Sequence, residues 1–222
     1  MDNIQNTPQI KICGLTKIDE ALGCANLGAD AIGLVFYPKS PRNVTIQMGR
    51  EISRALPPKV TTVGVFVDET FLNIMKIVEF CGLKAVQLHG NEPCELVNRL
   101  RKENIIVVKA LFANKKPFLA DTGDYNPSAY LVECGKGILP GGNAKTWNWE
   151  KASRLNTKCP IILAGGLAPE NAAKAVAACL PDAVDISSGV ESSPGRKDLK
   201  KTDLFINAIL QCSLPKPICK IF

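Results

Sequence analysis

The hydrophobic and polar positions of this chain repeat one unit: a short apolar run, a loop, and an amphipathic stretch with helical spacing. Short apolar runs rich in β-branched residues predict strands, and apolar residues three and four positions apart predict helices. Eight segments have the strand pattern: Gln9–Cys13, Ala31–Phe36, Thr62–Val67, Ala85–Leu88, Ile105–Leu111, Ala129–Glu133, Pro160–Ala164 and Ala183–Ser187. Six have the helix pattern: Lys17–Leu27, Ile46–Leu56, Glu69–Cys81, Glu92–Lys102, Glu170–Cys179 and Lys200–Gln211.

Residues near the helix starts support several of these assignments. Thr16 precedes the first helix, Asp68 is placed to cap the third, and Pro169 suits the first turn of the fifth. Two regions carry weaker patterns: residues 112–128 hold no long helical pattern, and Gly135–Ala144 has the composition of a long loop.

Strands that alternate with helices predict a parallel sheet with crossover helices, an α/β fold. Eight strands favour a closed (β/α)8 TIM barrel, although a doubly wound open sheet gives the same alternation. No linker or change of composition divides the chain, so we expect one domain over residues 1–222 with its core at 9–212. The tail at 213–222 has a sequence that indicates no role.

Composition excludes several classes of function. The chain has 222 residues and a net charge of +6, which suits an anionic ligand. No clusters of Lys and Arg interleaved with aromatic residues occur, so we expect no nucleic-acid partner. No apolar stretch approaches the roughly 18 residues that span a bilayer, and the opening MDNIQNTPQ has no apolar signal region. Nine scattered cysteines without a C-x-x-C pair favour a reducing cytoplasm, and we take a monomer as the expected state.

In a TIM barrel the chemistry lies at the carboxyl ends of the strands. Polar and glycine residues collect at those positions in this chain: Cys13-Gly14, Tyr37–Arg42, Asp68, His89-Gly90, Glu133–Ala144, Gly165-Gly166 and Ser187–Gly189. No cluster with the spacing of metal ligands is visible among them.

Two of these loops have the composition of a phosphate site. Gly165-Gly166 follows the seventh strand, and Ser187, Ser188 and Gly189 follow the eighth. Backbone N–H groups in these two loops often bind phosphate, and glycine permits a close approach. The alternative is that the glycines only make tight turns, but their occurrence in both expected loops favours phosphate.

Cys13 ends the first strand, and the strand period of two places it on the same face as Lys11. A lysine that faces a barrel interior needs a partner, and it could favour the thiolate form of Cys13, which acts as a base or nucleophile. A purely structural cysteine is an equally good interpretation of this spacing.

The loop FYPKSPRNV presents Lys39 and Arg42 between two prolines that stiffen it. The planar guanidinium of Arg42 could hold a carboxylate through two parallel hydrogen bonds. A solvated surface arginine is the alternative, and the rigidity of the loop favours a positioned side chain.

Glu133 ends the sixth strand on the same face as Leu131. A carboxyl group there can act as a general acid if burial favours its protonated form, or it can pair with Lys136 or Lys145. His89 is the one histidine of the chain and is predicted to support the site from behind rather than to react.

Together these segments resemble phosphoribosylanthranilate isomerase, a (β/α)8-barrel family of tryptophan biosynthesis. The matching segments, in chain order, are KICG at 11–14, GLVFYPKSPRNV at 33–44, VGVFV at 63–67, QLHGNE at 87–92, AGGLAPEN at 164–171 and VDISSGVESSPG at 184–195. The resemblance implies an Amadori rearrangement of N-(5′-phosphoribosyl)anthranilate without a cofactor. It also implies that Cys13 is the general base, that Arg42 holds the anthranilate carboxylate, and that the glycine loops hold the phosphate.

One departure from the family concerns the general acid. The family has Asp on the sixth strand in a context such as Leu-Leu-Asp-Thr, whereas this chain has Glu133. The following loop also differs, with Ala144, Trp147 and Asn148 at positions where Gly, Phe and Asp are usual. A displacement of about 1 Å can cost about 100-fold in rate, so adjusted neighbours, a slow enzyme and a related substrate all stay open.

Two other functions fit parts of the pattern. One is a barrel of the same ancestry that binds a phosphorylated ligand with lost or altered chemistry. The other is the sugar isomerase of histidine biosynthesis, which has an Asp at the end of the first strand, where this chain has Cys13. Because base, carboxylate clamp and phosphate loops occur together, we favour the working isomerase with Glu133 as the acid.

Overall fold

A computed structural model of the chain describes residues 6–135, 147–153, 155, 157 and 159–222. Eight parallel strands close into a barrel in their chain order, which confirms the predicted TIM barrel. These strands are β1 Gln9–Cys13, β2 Ala31–Val35, β3 Thr61–Phe66, β4 Ala85–Leu88, β5 Ile106–Phe112, β6 Ala129–Glu133, β7 Ile161–Ala164 and β8 Ala183–Ile186. The helices are α1 Ile18–Leu27, α2 Ile46–Ala55, α3 Phe71–Cys81, α4 Cys94–Lys102, α5 Glu150–Ser153, α6 Ala172–Cys179 and α7 Leu199–Leu210.

The predicted boundaries agree with the structure within two residues, but three of the predicted helix-start signals were wrong. Lys17, not Thr16, is the N-cap residue of α1, and Pro169 precedes the Asn171 N-cap of α6 instead of lying in its first turn. Thr70, not Asp68, caps α3, because its side chain accepts a hydrogen bond from the Asn73 backbone N–H. Asp68 instead accepts from the backbone N–H of Asn91 in the loop after β4. The short helix α5 was not predicted, since its four residues carry too little periodicity.

The stretch after β8 has the polar composition of a loop, but it also contains regular structure. It begins with a 3-10 helix at Ser188–Val190 and continues as an antiparallel hairpin of β9 Glu191–Ser193 and β10 Arg196–Lys197. Gly195 turns the hairpin at a φ of +79°, a conformation that glycine adopts without strain.

Alternate residues of the strands fill the barrel interior, as the strand period of two requires. Val108, Ala110 and Phe112 of β5 pack there with Leu131 and Ile162 from the next two strands. The other face of each strand packs against the helices in one large apolar cluster. The polar residues at the strand ends are therefore presented by a rigid frame.

The carboxyl-terminal tail closes the opposite, amino-terminal end of the barrel, a role that the sequence did not indicate. Ile221 is buried, and Phe222 packs against Ala31, Val63 and Ala85 in the interior. The buried amide of Gln9 donates to the Phe222 carbonyl at 2.7 Å and accepts from the Ile221 N–H at 2.6 Å. These bonds fix the tail to the first residue of β1.

Candidate active site

Four side chains proposed for the site from the sequence lie at the carboxyl-terminal rim of the barrel. Cys13, Arg42, His89 and Glu133 are each between 6% and 8% exposed. Cys13 ends β1 and Glu133 ends β6, so β7 and β8 stand between them in the closed barrel. The two predicted phosphate loops thus lie between the predicted base and the predicted acid.

Cys13 lies directly above a buried ion pair. Lys11 faces the same interior as Cys13 and pairs with Asp185 of β8, with Nζ and Oδ1 2.8 Å apart. Gly33 of β2 makes room for this cluster: a Cβ added there would lie 2.7 Å from Cys13 Sγ and 3.1 Å from Lys11 Nζ. The partner that a buried lysine requires is therefore Asp185, which the sequence analysis had not singled out.

We expected Lys11 to favour the thiolate form of Cys13, but the pKa of Cys13 is raised. Burial raises the pKa of the Cys13 thiol, and it outweighs the opposing effect of the Lys11 and Lys197 cations. The Asp185 carboxylate also raises the pKa of Cys13. At neutral pH Cys13 is therefore a thiol, mainly because it is buried and also because the Asp185 carboxylate opposes a second negative charge.

Arg42 is a positioned, buried side chain, which excludes the solvated surface arginine. Its guanidinium does hold a carboxylate, but that carboxylate belongs to Glu191 of β9. Arg42 Nε donates to Glu191 Oε1 at 2.8 Å and Nη2 donates to Oε2 at 2.7 Å. Lys39, from the same loop, is exposed.

The hairpin supplies a lysine that sequence reasoning missed. Lys197 and Glu191 are cross-strand partners, and Lys197 Nζ lies 2.8 Å from Glu191 Oε1. The same ammonium donates to the backbone carbonyl of Ser187 at 3.0 Å. Lys197 therefore joins the Arg42 clamp to the loop after β8. Its sequence signal was weak, because GRKD has the composition of an exposed turn.

Glu133 is contacted by His89 across the rim. His89 Nε2 lies 3.4 Å from Glu133 Oε1, and His89 Nδ1 lies 2.9 Å from the Gln87 side-chain nitrogen. With that amide donating to Nδ1, the proton of a neutral imidazole resides on Nε2 and faces the carboxylate. Lys136 and Lys145, considered as partners for Glu133, lie outside the described residues.

Both glycines at the start of the loop after β7 have positive φ angles. Gly165 and Gly166 have φ values of +84° and +72°, in the left-handed region. The indole of Trp147 donates to the Ala164 carbonyl at 3.0 Å, and the indole of Trp149 contacts the Gly165 carbonyl at 3.3 Å. Both tryptophans thus hold backbone carbonyls of this loop by hydrogen bonds from their indole N–H groups.

The loop after β8 packs directly against it. A Cβ added to Gly189 would overlap the Leu167 carbonyl oxygen, so glycine at 189 is required by contact between the two loops. In the 3-10 helix the Val190 N–H donates to the Ser187 carbonyl, and the Glu191 N–H donates to the Ser188 carbonyl. The N–H groups of Ser188 and Gly189 precede these bonds and have no partner within the helix.

Three general properties concern the described residues as a whole. Across the described residues, no group of three or more His, Cys, Asp and Glu side chains is arranged to hold a metal ion. None of the helices there combines the length and apolar character needed to cross a membrane. All nine cysteines are free thiols.

Comparison with known proteins supports the resemblance. The family model of N-(5′-phosphoribosyl)anthranilate isomerase matches residues 10–208. A relative of that name from Desulfatibacillum aliphaticivorans is 50% identical over 96% of this chain and 98% of its own length. Another from Pseudomonas fluorescens is 44% identical over 90% of this chain and 97% of its own.

Solved structures agree with the sequence comparisons. Phosphoribosyl anthranilate isomerase from Thermotoga maritima covers 92% of this chain and 100% of its own length, with 37% identity and a TM-score of 0.81. The Thermus thermophilus structure of the same name covers 91% of this chain and 98% of its own, with 34% identity and a TM-score of 0.82. This chain therefore belongs to the N-(5′-phosphoribosyl)anthranilate isomerase family.

Proposed function

We propose that this chain catalyses the Amadori rearrangement of N-(5′-phosphoribosyl)anthranilate to 1-(2-carboxyphenylamino)-1-deoxyribulose 5-phosphate in tryptophan biosynthesis. Cys13 is the general base and Glu133 is the general acid. Family membership supports the reaction, and the positions of the two side chains on β1 and β6 support their roles.

The reaction requires two proton transfers at opposite sides of the ribose. Protonated Glu133 gives its proton to the ring oxygen, the C1′–O bond breaks, and the anthranilate nitrogen forms an iminium. Cys13 acts in its thiolate form, which is the minor form at neutral pH because burial raises the pKa of the thiol. The thiolate removes the proton from C2′, and the electron pair neutralises the iminium as an enolamine, which tautomerises to the ketone. The side chains and the substrate supply every proton, so this mechanism requires no cofactor.

Two anionic groups of the substrate fix it between these residues. The loops at Gly165-Gly166 and Ser187–Gly189 bind the phosphate through backbone N–H groups, and Arg42 binds the anthranilate carboxylate. Anchoring both ends restricts the sugar to a reactive orientation, which can lower the barrier substantially. A related isomerase, 35% identical, is known in complex with reduced 1-(o-carboxyphenylamino)-1-deoxyribulose 5-phosphate, which carries both groups.

One observation carries this proposal: the phosphate loops stand between the acid and the base in the strand order of the barrel. A phosphate held there places the attached ribose with Cys13 on one side and Glu133 on the other. The contact from His89 supports the acid role of Glu133, because it orients the longer side chain at the rim.

Complementation tests the proposal directly. The gene should restore growth of a bacterium that lacks this isomerase on medium without tryptophan. In purified protein, Cys13→Ala should abolish turnover while the affinity for a product analogue stays within about tenfold of the original.

Two results would contradict these assignments. Absence of growth, with no turnover by the purified protein, would favour the binding barrel of the same ancestry. Full activity of Cys13→Ala would remove the base assignment while leaving the reaction itself in place. Size-exclusion chromatography at working concentration tests the expected monomer.

A further inference from the structure

The ion pair between Arg42 and Glu191 uses one particular edge of the guanidinium. Glu191 binds side-on, with its two oxygens on Nε and Nη2 at 2.8 and 2.7 Å. Both side chains are nearly inaccessible, at 7% and 5% exposure. A bidentate pair of this kind fixes the plane of the guanidinium as well as its position.

Glu191 is itself held by several other groups. Its Oε1 accepts from Lys197 Nζ at 2.8 Å and from the Gly195 backbone N–H at 3.3 Å. Lys201 of α7 donates to its backbone carbonyl at 2.9 Å. Burial raises the pKa of Glu191, but donation from Arg42 and the attraction of Lys197 outweigh burial and lower the pKa below its ordinary value, so Glu191 is ionised at neutral pH.

The stem of Arg42 is confined next to the predicted base. Gly14 directly follows Cys13, and a Cβ added there would lie 2.5 Å from Arg42 Cδ and 3.1 Å from Ser187 Oγ. Glycine at position 14 therefore leaves the space that the Arg42 side chain occupies at the rim. Stem and head group are therefore both fixed by contacts within the protein.

Glu191 occupies two of the five N–H groups that a guanidinium carries. Within the described part of the chain, both N–H groups of Nη1 and the second one of Nη2 have no protein acceptor. These groups form the end-on edge, which can bind a second carboxylate with two parallel hydrogen bonds. A buried arginine is thus left with one complete edge for a ligand.

Resting on the proposed function, we propose that Glu191 is a positioning residue that turns the end-on edge of Arg42 toward the substrate carboxylate. It thereby sets the selectivity of the site for aryl groups that carry a carboxylate. Lys197 offsets the charge of Glu191, so the arginine keeps its attraction for a second anion. The opposite role, in which Glu191 competes with the substrate for Arg42, makes the opposite prediction for affinity.

The test measures two ligands by calorimetry. One is reduced 1-(o-carboxyphenylamino)-1-deoxyribulose 5-phosphate, and the other is the same molecule with an unsubstituted phenyl ring. In Glu191→Gln we expect the first ligand to bind at least about tenfold more weakly, because one oxygen cannot replace a bidentate carboxylate. The second should change by less than about threefold. In kinetics KM should rise more than kcat falls.

Glu20→Gln is the matched control. Glu20 is also a buried glutamate that holds the hairpin, since it accepts from Arg196 Nε at 2.6 Å and from the Lys197 backbone N–H at 2.8 Å. It does not contact Arg42, so its loss should leave the ratio of the two affinities unchanged. If Glu191→Gln does not fold, Glu191→Asp replaces it, because the shorter side chain cannot reach both nitrogens from the same backbone.

The outcomes separate this inference from the proposed function. Tighter binding of the carboxylate ligand in Glu191→Gln, equal weakening of both ligands, or the same selective loss in Glu20→Gln would overturn it. An unmodified protein that binds both ligands but has no turnover would refute the proposed activity alone. Where both variants fold, Glu191→Asp should show the same selective loss as Glu191→Gln, because neither side chain holds both nitrogens with a bidentate carboxylate. An unchanged affinity ratio in Glu191→Asp would count against the inference.

Discussion

Lys11 and Asp185 are register partners across the junction of β1 and β8 that closes the barrel, and they form an ion pair of 2.8 Å. Lys11 is fully buried, and Asp185 is 8% exposed. Burial by itself lowers the pKa of Lys11, but the attraction and the hydrogen bond of the Asp185 carboxylate outweigh burial and raise it. The floor of the proposed site is therefore a buried ion pair, in which each charge is stabilised by the other.

Removing one member of this pair should destabilise the whole barrel. In Asp185→Leu the Lys11 ammonium is left buried without a counter-ion, and we expect the free energy of unfolding to fall by about 3–5 kcal/mol. Urea unfolding followed by circular dichroism measures this. The double variant Lys11→Met/Asp185→Leu removes both charges and should recover most of the loss. If Asp185→Leu is as stable as the original protein, the barrel does not depend on Asp185 to neutralise Lys11.

The pH dependence of catalysis should reflect the protonation of Cys13. The pKa of this thiol lies above its ordinary value of 9.0, so the thiolate that acts as a base becomes more abundant as pH rises. We expect kcat/KM, which reports the free enzyme, to increase with pH through the neutral and mildly alkaline range.

Lys197 should shift this profile in a definite direction. Its cation lowers the pKa of Cys13, so Lys197→Met should move the acidic limb to higher pH. The rate of alkylation of Cys13, measured by mass spectrometry of the corresponding peptide, should shift in the same sense. Lys200→Met, an exposed lysine of α7, is the control and should leave the limb in place. A shift to lower pH in Lys197→Met would contradict the electrostatic role.

Glu133 should be sensitive to both charge and length. Glu133→Gln keeps the shape but cannot donate a carboxyl proton, so we expect kcat to fall by about 100-fold or more. Glu133→Asp withdraws the carboxyl group from His89, and we expect at least about tenfold lower kcat, since misplacement of about 1 Å is costly. Steady-state kinetics checks both. A higher rate for Glu133→Asp would show that the longer side chain is a handicap.

The tail should contribute to stability but not to catalysis. Ile221→Ala removes a buried side chain at the base of the barrel, and we expect a loss of about 2–4 kcal/mol in urea unfolding. Deleting residues 219–222 should cost at least as much, because Gln9 also loses its partners. The exposed Lys216 provides a control in Lys216→Ala. Since the proposed site lies at the other end, kcat at 25 °C should stay unchanged, and a large change would refute this separation.

The fold and the positions of the site residues were predictable because both depend on local pattern. The period of two put Cys13 with Lys11 and Glu133 with Leu131, and the alternation of strands with helices fixed which strand ends share a rim. The contacts of Arg42 were not predictable. Glu191 lies 149 positions after Arg42 in the sequence. It belongs to a hairpin whose polar sequence lacks the apolar alternation that predicts strands.

The sequence by itself determined the barrel, the rim and the chemical types of the groups on it, because repeated local patterns encode each of these. Only the tertiary structure decided which charges neutralise one another. Asp185 meets Lys11 across 174 positions only because closure of the ring brings β8 beside β1. Phe222 packs at the base of the barrel against Ala31, Val63 and Ala85 of three other strands. Pairing in a buried environment depends on distances of a few ångströms, and these arise from closure and packing rather than from any local pattern.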